Sequence, residues 1–133
     1  MNIVGLRSQE IYGNITLDKI NRSLRKIARD AGVQLKIYQS NSEPGIVKIL
    51  QRQRNQVRGI LINPATLCFT GYTIADTLQL INLPTVEIHL TESLVGKSVT
   101  DSVLRSVCLE QFTGAPDTGY TDGLKYLLSR LSG

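Results

Sequence analysis

A chain of 133 residues and 14.7 kDa has the size of one domain. With 41% hydrophobic and 20% charged residues it can bury a core, mostly aliphatic because aromatics are only 5% and Trp is absent, and this excludes wholesale disorder. The excess of 15 Lys and Arg over 11 Asp and Glu leaves a net charge of +4, which suits an anionic ligand or a crowded oligomer but falls short of a nucleic-acid-binding signature.

Cys68 and Cys108 lack metal-ligand spacing and are too few for a disulfide framework. They read as buried apolar residues of a protein in a reducing cytoplasm. Met1 to Arg7 carries no long apolar signal region, and no run is long enough to span a bilayer, so a cytoplasmic chain without a membrane partner is expected.

The predicted elements alternate from end to end. Leu17, Ile20, Leu24, Ile27 and Ala31 recur at helical spacing, with Thr16 as N-cap and Gly32 as the stop. Val33, Leu35 and Ile37 alternate with polar residues as a strand, and a helix is expected from Pro44 to Arg54. Gly59 to Ile62 is a short unbroken apolar run, the pattern of a strand covered on both faces. A helix over Thr73 to Leu80, strands over Thr85 to Leu90 and Val107 to Thr113, and a last helix striped by Leu124, Leu127, Leu128 and Leu131 complete the chain. Strand–helix alternation implies right-handed crossovers and a parallel sheet between two helical layers, a flavodoxin-like three-layer α/β sandwich in a single domain over residues 1–133. Ligands of such sheets bind beyond the carboxyl ends of the strands.

No glycine-rich phosphate loop follows a strand, no nucleophile elbow is present, and one histidine cannot build a multi-histidine metal site. No cofactor and no metal are expected. His89 lies two residues after Glu87, so strand geometry puts both on one face, where the carboxylate can orient and charge-stabilise the imidazole as a proton donor. A hydrogen-bonded structural histidine is the blander alternative. Tyr12 falls in the expected strand-to-helix loop five residues after Arg7, whose guanidinium favours the phenolate and so a base; a packed loop tyrosine is the alternative there.

Beyond these single residues, several motifs keep their order and nearly their spacing. Arg7, Tyr12-Gly13 and Thr16-Leu17, then Gln39-Ser40-Asn41-Ser42-Glu43, Ile62-Asn63 with Asp76 downstream, Pro84-x2-Glu87-Ile88-His89-Leu90-Thr91 and Gly119-Tyr120 together resemble the type II 3-dehydroquinate dehydratases over almost the whole chain. The resemblance implies an anti elimination of water through an enolate, without metal or imine. It makes Tyr12 the base, with Arg7 lowering its pKa, and His89, held by Glu87, the acid that protonates the departing hydroxyl. Asn63 would bind substrate hydroxyls, while the Leu90–Thr91 backbone and the Thr91 hydroxyl would hold the carboxylate. Asp76 would reach a neighbouring subunit's site in a homo-oligomer built from trimers that commonly stack into dodecamers.

The chain also departs from the pattern. The family's Asn-Gly-Pro-Asn-Leu-Asn segment after the first strand is absent, so either Met1–Val4 is a residual first strand with that loop deleted, or the strand is missing. Phe69 stands where the family has a substrate-binding histidine, Val99 or a neighbour where it has a carboxylate-binding arginine, and Glu92 where it has an asparagine; Lys97 is the nearest cation. Each lost charge-assisted contact costs roughly 1.5–3 kcal/mol. Two or three such losses weaken substrate binding by a few orders of magnitude. Arg22, Arg25, Lys26 and Arg29 on the first helix, and Arg52, Arg54 and Arg58 after the second, have no interleaved aromatics and read as solvated or oligomer-facing surfaces, not a nucleic-acid site. The sequence thus points to a divergent dehydratase-like lyase acting on a small, oxygenated, less anionic molecule. A catalytically inactive homologue serving as an oligomeric scaffold or ligand-binding protein is the alternative.

Overall fold

The computed structural model describes residues 2–7, 17–114 and 116–132. Five parallel strands, β1 (Asn2–Arg7), β2 (Gln34–Gln39), β3 (Gly59–Asn63), β4 (Thr85–His89) and β7 (Glu110–Thr113), form one sheet in the order β2-β1-β3-β4-β7. A two-strand hairpin, β5 (Ser93–Leu94) with β6 (Lys97–Ser98), follows β4. Helices α1 (Leu17–Asp30) and α4 (Pro116–Ser132) cover one face, and α2 (Glu43–Gln53) and α3 (Tyr72–Ile81) the other. This is the doubly wound, flavodoxin-like α/β sandwich that the alternation of elements predicts.

Local chemistry accounts for the boundaries. Ile20, Leu24 and Ala28 form the buried stripe of α1. The helix ends in a Schellman motif, with Gly32 at φ +73°, Gly32 N–H donating to Arg29 O and Val33 N–H to Ala28 O. Ala31 falls beyond that end and is exposed, so it leaves the expected stripe. At the start of α2 the Ser42 hydroxyl accepts from Gly45 N–H at 3.1 Å, and Pro44 occupies the first turn, where its missing N–H costs nothing. All five residues of β3 are buried, as its apolar run requires of a central strand.

Two expectations are resolved by the structure. Of the two alternatives for the start of the chain, a first strand is present: β1 runs past Val4 to Arg7 and lies between β2 and β3, with Ile3, Val4 and Leu6 in the core. The strand expected over Val107 to Thr113 is confined to Glu110–Thr113. Arg105–Val107 instead makes a 3₁₀ turn, which packs Leu104 and Val107 against the α2/α3 layer.

Alternation along each strand divides the core in two. Ile3, Leu61, Val86 and Ile88 face α1 and α4, whereas Val4, Leu6, Ile60 and Ile62 face α2 and α3. The chain runs from β1 outward to β2 and returns past β1 to β3, so strand order reverses between β1 and β3. Arg7 and Asn63, the last residues of those strands, stand opposite each other in the register there.

Candidate active site at the carboxyl edge of the sheet

Glu87 and His89 both carry 0% exposed surface. Their shared strand face brings Glu87 Oε2 to 2.5 Å from His89 Nε2, an ion pair when the imidazole is protonated. Among the described residues, Glu87 Oε1 and His89 Nδ1 have no hydrogen-bond partner. With Nε2 committed to the carboxylate, Nδ1 is the nitrogen at which a proton can be gained or given. The strand end is fixed by Gly114 N–H donating to His89 O at 3.2 Å.

On the other sheet face, Arg7 is 4% exposed and donates from Nη2 to Asn21 Oδ1 on α1 at 2.6 Å. Its guanidinium carbon lies 5.1 Å from the centroid of the Tyr120 ring, a cation–π distance, and its Nη1 has no partner among the described residues. Asn63 donates from Nδ2 to the Tyr120 hydroxyl at 2.9 Å and accepts the Ala65 N–H on Oδ1 at 3.0 Å. That second bond supports Ala65 in the left-handed region at φ +51°, which a residue with a Cβ adopts only when its surroundings hold it there.

Arg7 and Asn63 therefore meet through Tyr120 on the α1/α4 face, while Glu87 and His89 meet on the α2/α3 face. The two groups share only the carboxyl edge of the sheet. Tyr12 and Thr16 lie outside the described residues. Leu90 is partly buried against the α1/α4 core. Thr91 is exposed, and its hydroxyl donates to Ser93 O at 2.9 Å. Asp76 is exposed on α3, beside a surface groove of about 600 Å³ that also involves Tyr72 and Arg105. Phe69 is half-buried at the end of the 3₁₀ turn after β3, and the Lys97 ammonium of the hairpin sits 5.5 Å from its ring centroid. Val99 is buried at 1% exposed, and its carbonyl accepts from Gln111 Nε2 at 2.8 Å.

Cys108 is only partly buried, against the expectation that both cysteines are sealed in the core; Cys68 is fully buried. Desolvation, and then the Glu87 carboxylate, push the Cys108 thiol far up from its ordinary range. Sequence reasoning gave no role to Asn21 or Tyr120. Asn21 is a polar residue immediately beside the apolar stripe of α1, the one local sign that it has a partner on the sheet. Among the described residues no group of three or more His, Cys, Asp or Glu is placed to hold a metal, and no helix is long and apolar enough to cross a membrane.

A doubly wound parallel sheet with buried ionisable side chains at the carboxyl edge, beside its switch point, defines a flavodoxin-like α/β protein. The family model for class II dehydroquinases matches residues 1–128. Proteins named 3-dehydroquinate dehydratase from Endomicrobium trichonymphae and Trichodesmium erythraeum are 35% and 37% identical over 130 and 132 residues, covering 97% and 98% of this chain and 91% and 88% of theirs. The crystal structure of a type II dehydroquinase from Butyrivibrio crossotus superposes with a TM-score of 0.86 at 24% identity, covering 96% of this chain and 97% of that one. The chain belongs to the class II dehydroquinase family.

Proposed function

We propose that this chain is a hydro-lyase of the dehydroquinate dehydratase type, with Tyr12 as base and His89 as acid. The observation that carries the reading is the buried Glu87–His89 pair at the end of β4, whose Nδ1 has no partner among the described residues. A buried imidazole normally satisfies both nitrogens, so an unpaired one at a sheet's carboxyl edge supports a functional reading. The relatives named 3-dehydroquinate dehydratase support the reaction class.

In the proposed reaction the Tyr12 phenolate removes a proton beside the substrate ketone and gives an enolate. The enolate expels the hydroxyl, which takes a proton from His89 Nδ1 and leaves as water with the enone. The phenol then holds one proton more and the imidazole one fewer, so a single transfer between them resets the site. Glu87 offsets the imidazolium charge in a place that water does not reach. Asn63 contacts substrate hydroxyls, and the backbone at Leu90 and Thr91 holds the anionic group. Asp76 serves a neighbouring subunit in a trimer-based assembly.

Phe69 in place of a histidine and buried Val99 in place of an arginine make the pocket less suited to a carboxylate. Turnover of 3-dehydroquinate is therefore expected well below that of an ordinary family member. The alternative, an inactive scaffold or ligand-binding homologue, is favoured by one observation: His89 has no exposed surface, so substrate meets Nδ1 only after the covering residues move. A direct assay for the ultraviolet-absorbing enone decides between them. Measurable product that disappears in both Tyr12→Phe and His89→Ala supports the lyase, and turnover that survives either substitution refutes the assigned roles. Product absent from the unaltered chain leaves the scaffold.

A further inference from the structure

We infer that Tyr120 is a positioning residue that holds Asn63 and Arg7 in their working orientations, an inference that rests on the lyase reading above. Tyr120 is 2% exposed near the start of α4 and touches the last residues of both strands at the switch point. Its hydroxyl accepts from Asn63 Nδ2 at 2.9 Å, and its ring lies 5.1 Å from the Arg7 guanidinium carbon. These contacts use different parts of one side chain, so they can be removed separately.

The hydroxyl holds the Nδ2 end of the Asn63 amide, whose orientation the Ala65 N–H selects. An amide has a donor end and an acceptor end of nearly equal shape, so its hydrogen-bond partners select the orientation. Here the Ala65 N–H selects Oδ1 for one side, and the tyrosine oxygen accepts from the other. Without the hydroxyl, Nδ2 loses its bond to Tyr120, and the face that the amide presents to a substrate hydroxyl is held less rigidly. The ring acts on Arg7 instead: it covers the guanidinium while Asn21 fixes Nη2 at 2.6 Å from its Oδ1.

Gly114, just ahead of α4, and Gly119 in its first turns both lie against the other half of the site. Gly114 N–H donates to the His89 carbonyl, and a Cβ built on Gly119 would sit 3.6 Å from that oxygen. The helix that carries Tyr120 is thereby seated on the strand end that carries His89. One element thus sets the relative position of the groups on the two sheet faces.

The experiment compares Tyr120→Phe, Tyr120→Leu, Asn63→Ala and the Tyr120→Phe/Asn63→Ala pair in the full chain, reading kcat and KM for 3-dehydroquinate together with the melting temperature. Tyr120→Phe keeps the ring on Arg7, so it should raise KM about tenfold with kcat within about twofold of the unaltered chain. In the Asn63→Ala background the same change should add nothing, because the two groups act as one. Tyr120→Leu should also lower kcat by removing the surface on which Arg7 rests. If Asn63→Ala does not fold, Asn63→Ser takes its place in the cycle. A Tyr120→Phe chain that melts lower but keeps KM overturns the inference, because loss of folded protein does not change the KM of the folded fraction. So does an effect that multiplies with that of Asn63→Ala. An unaltered chain without turnover overturns the lyase reading and this role with it, a result distinct from an active chain that ignores Tyr120→Phe.

Discussion

The buried Glu87–His89 pair separates structural from functional accounts of the site. Both residues are fully buried, the contact between them is 2.5 Å, and Oε1 and Nδ1 have no partner among the described residues. Breaking a buried pair from one side costs about 3–5 kcal/mol, because the remaining group loses its only compensation. Glu87→Met would leave both imidazole nitrogens without a partner, so a loss of that size is expected. The double variant Glu87→Met/His89→Leu behaves differently. Each buried polar atom without a partner costs about 1–3 kcal/mol, so removing the two present now recovers about 2–6 kcal/mol against the hydrogen bond that is lost. Replacement of buried pairs by apolar side chains of similar volume is commonly neutral or stabilising by about 1–4 kcal/mol.

The expected order of stability is therefore the double variant at or above the unaltered chain, with Glu87→Met well below both. Urea unfolding at one fixed protein concentration measures it through the midpoint, provided the slope is unchanged. Turnover should be lost in both variants. A stabilised, inactive double variant would show that the chain tolerates the unpaired atoms for chemistry, since stability gives no reason to keep them. A double variant as unstable as Glu87→Met would refute this, and the pair would then belong to the fold.

Three further outcomes are expected. Folding holds the Cys108 thiol protonated above its ordinary value of 9.0, so the contribution is intact below about pH 9 and is lost as the unfolded thiol ionises above it. Its slope is at most about 1.4 kcal/mol per pH unit; Cys108→Ala should flatten the fall of the urea midpoint between pH 9 and 10, and an unchanged fall would sink the argument. A Cβ at Gly5 in β1 meets only ordinary contacts of 3.7 Å and more, so Gly5→Ala should stabilise by about 0.5–1 kcal/mol, whereas a Cβ at Gly123 would collide with the buried Ile88 side chain, so Gly123→Ala should melt lower. Light scattering at micromolar concentration should show an assembly larger than the 14.7 kDa chain; a stable monomer would remove the intersubunit role of Asp76.

Much of this architecture was legible because its signals are local. The 3.6-residue stripe of α1, Gly32 at its end and the unbroken run of β3 each follow from nearest-neighbour chemistry. The contact between Glu87 and His89 was legible for the same reason, since two residues apart on a strand means one face. The Tyr120 network was not. Asn63 and Tyr120 are 57 positions apart and meet only after two crossovers have closed, and no local pattern announces such a contact. Strand β1 was ambiguous because the Asn-Gly-Pro-Asn-Leu-Asn segment expected after it is absent; pairing on both sides, with β2 and β3, supplies what its own short segment does not announce.

Strand parity explains why the site has two halves. Arg7 shares a face with Ile3 and Asn63 shares one with Leu61, so both point toward α1 and α4, while Glu87 and His89 alternate with Val86 and Ile88 and point the other way. A slip of β1 by one residue would carry Arg7 to the opposite face and away from both Asn21 and Tyr120. An anti elimination needs its base and acid on opposite sides of one substrate, and groups on opposite faces of a sheet can both reach one molecule only past the ends of the strands. In the proposed mechanism the arginine that tunes the base rises from one face at the end of β1, and the acid rises from the other at the end of β4. The register that places Arg7 opposite Asn63 is then as much a requirement of the chemistry as the two carboxyl-edge residues themselves.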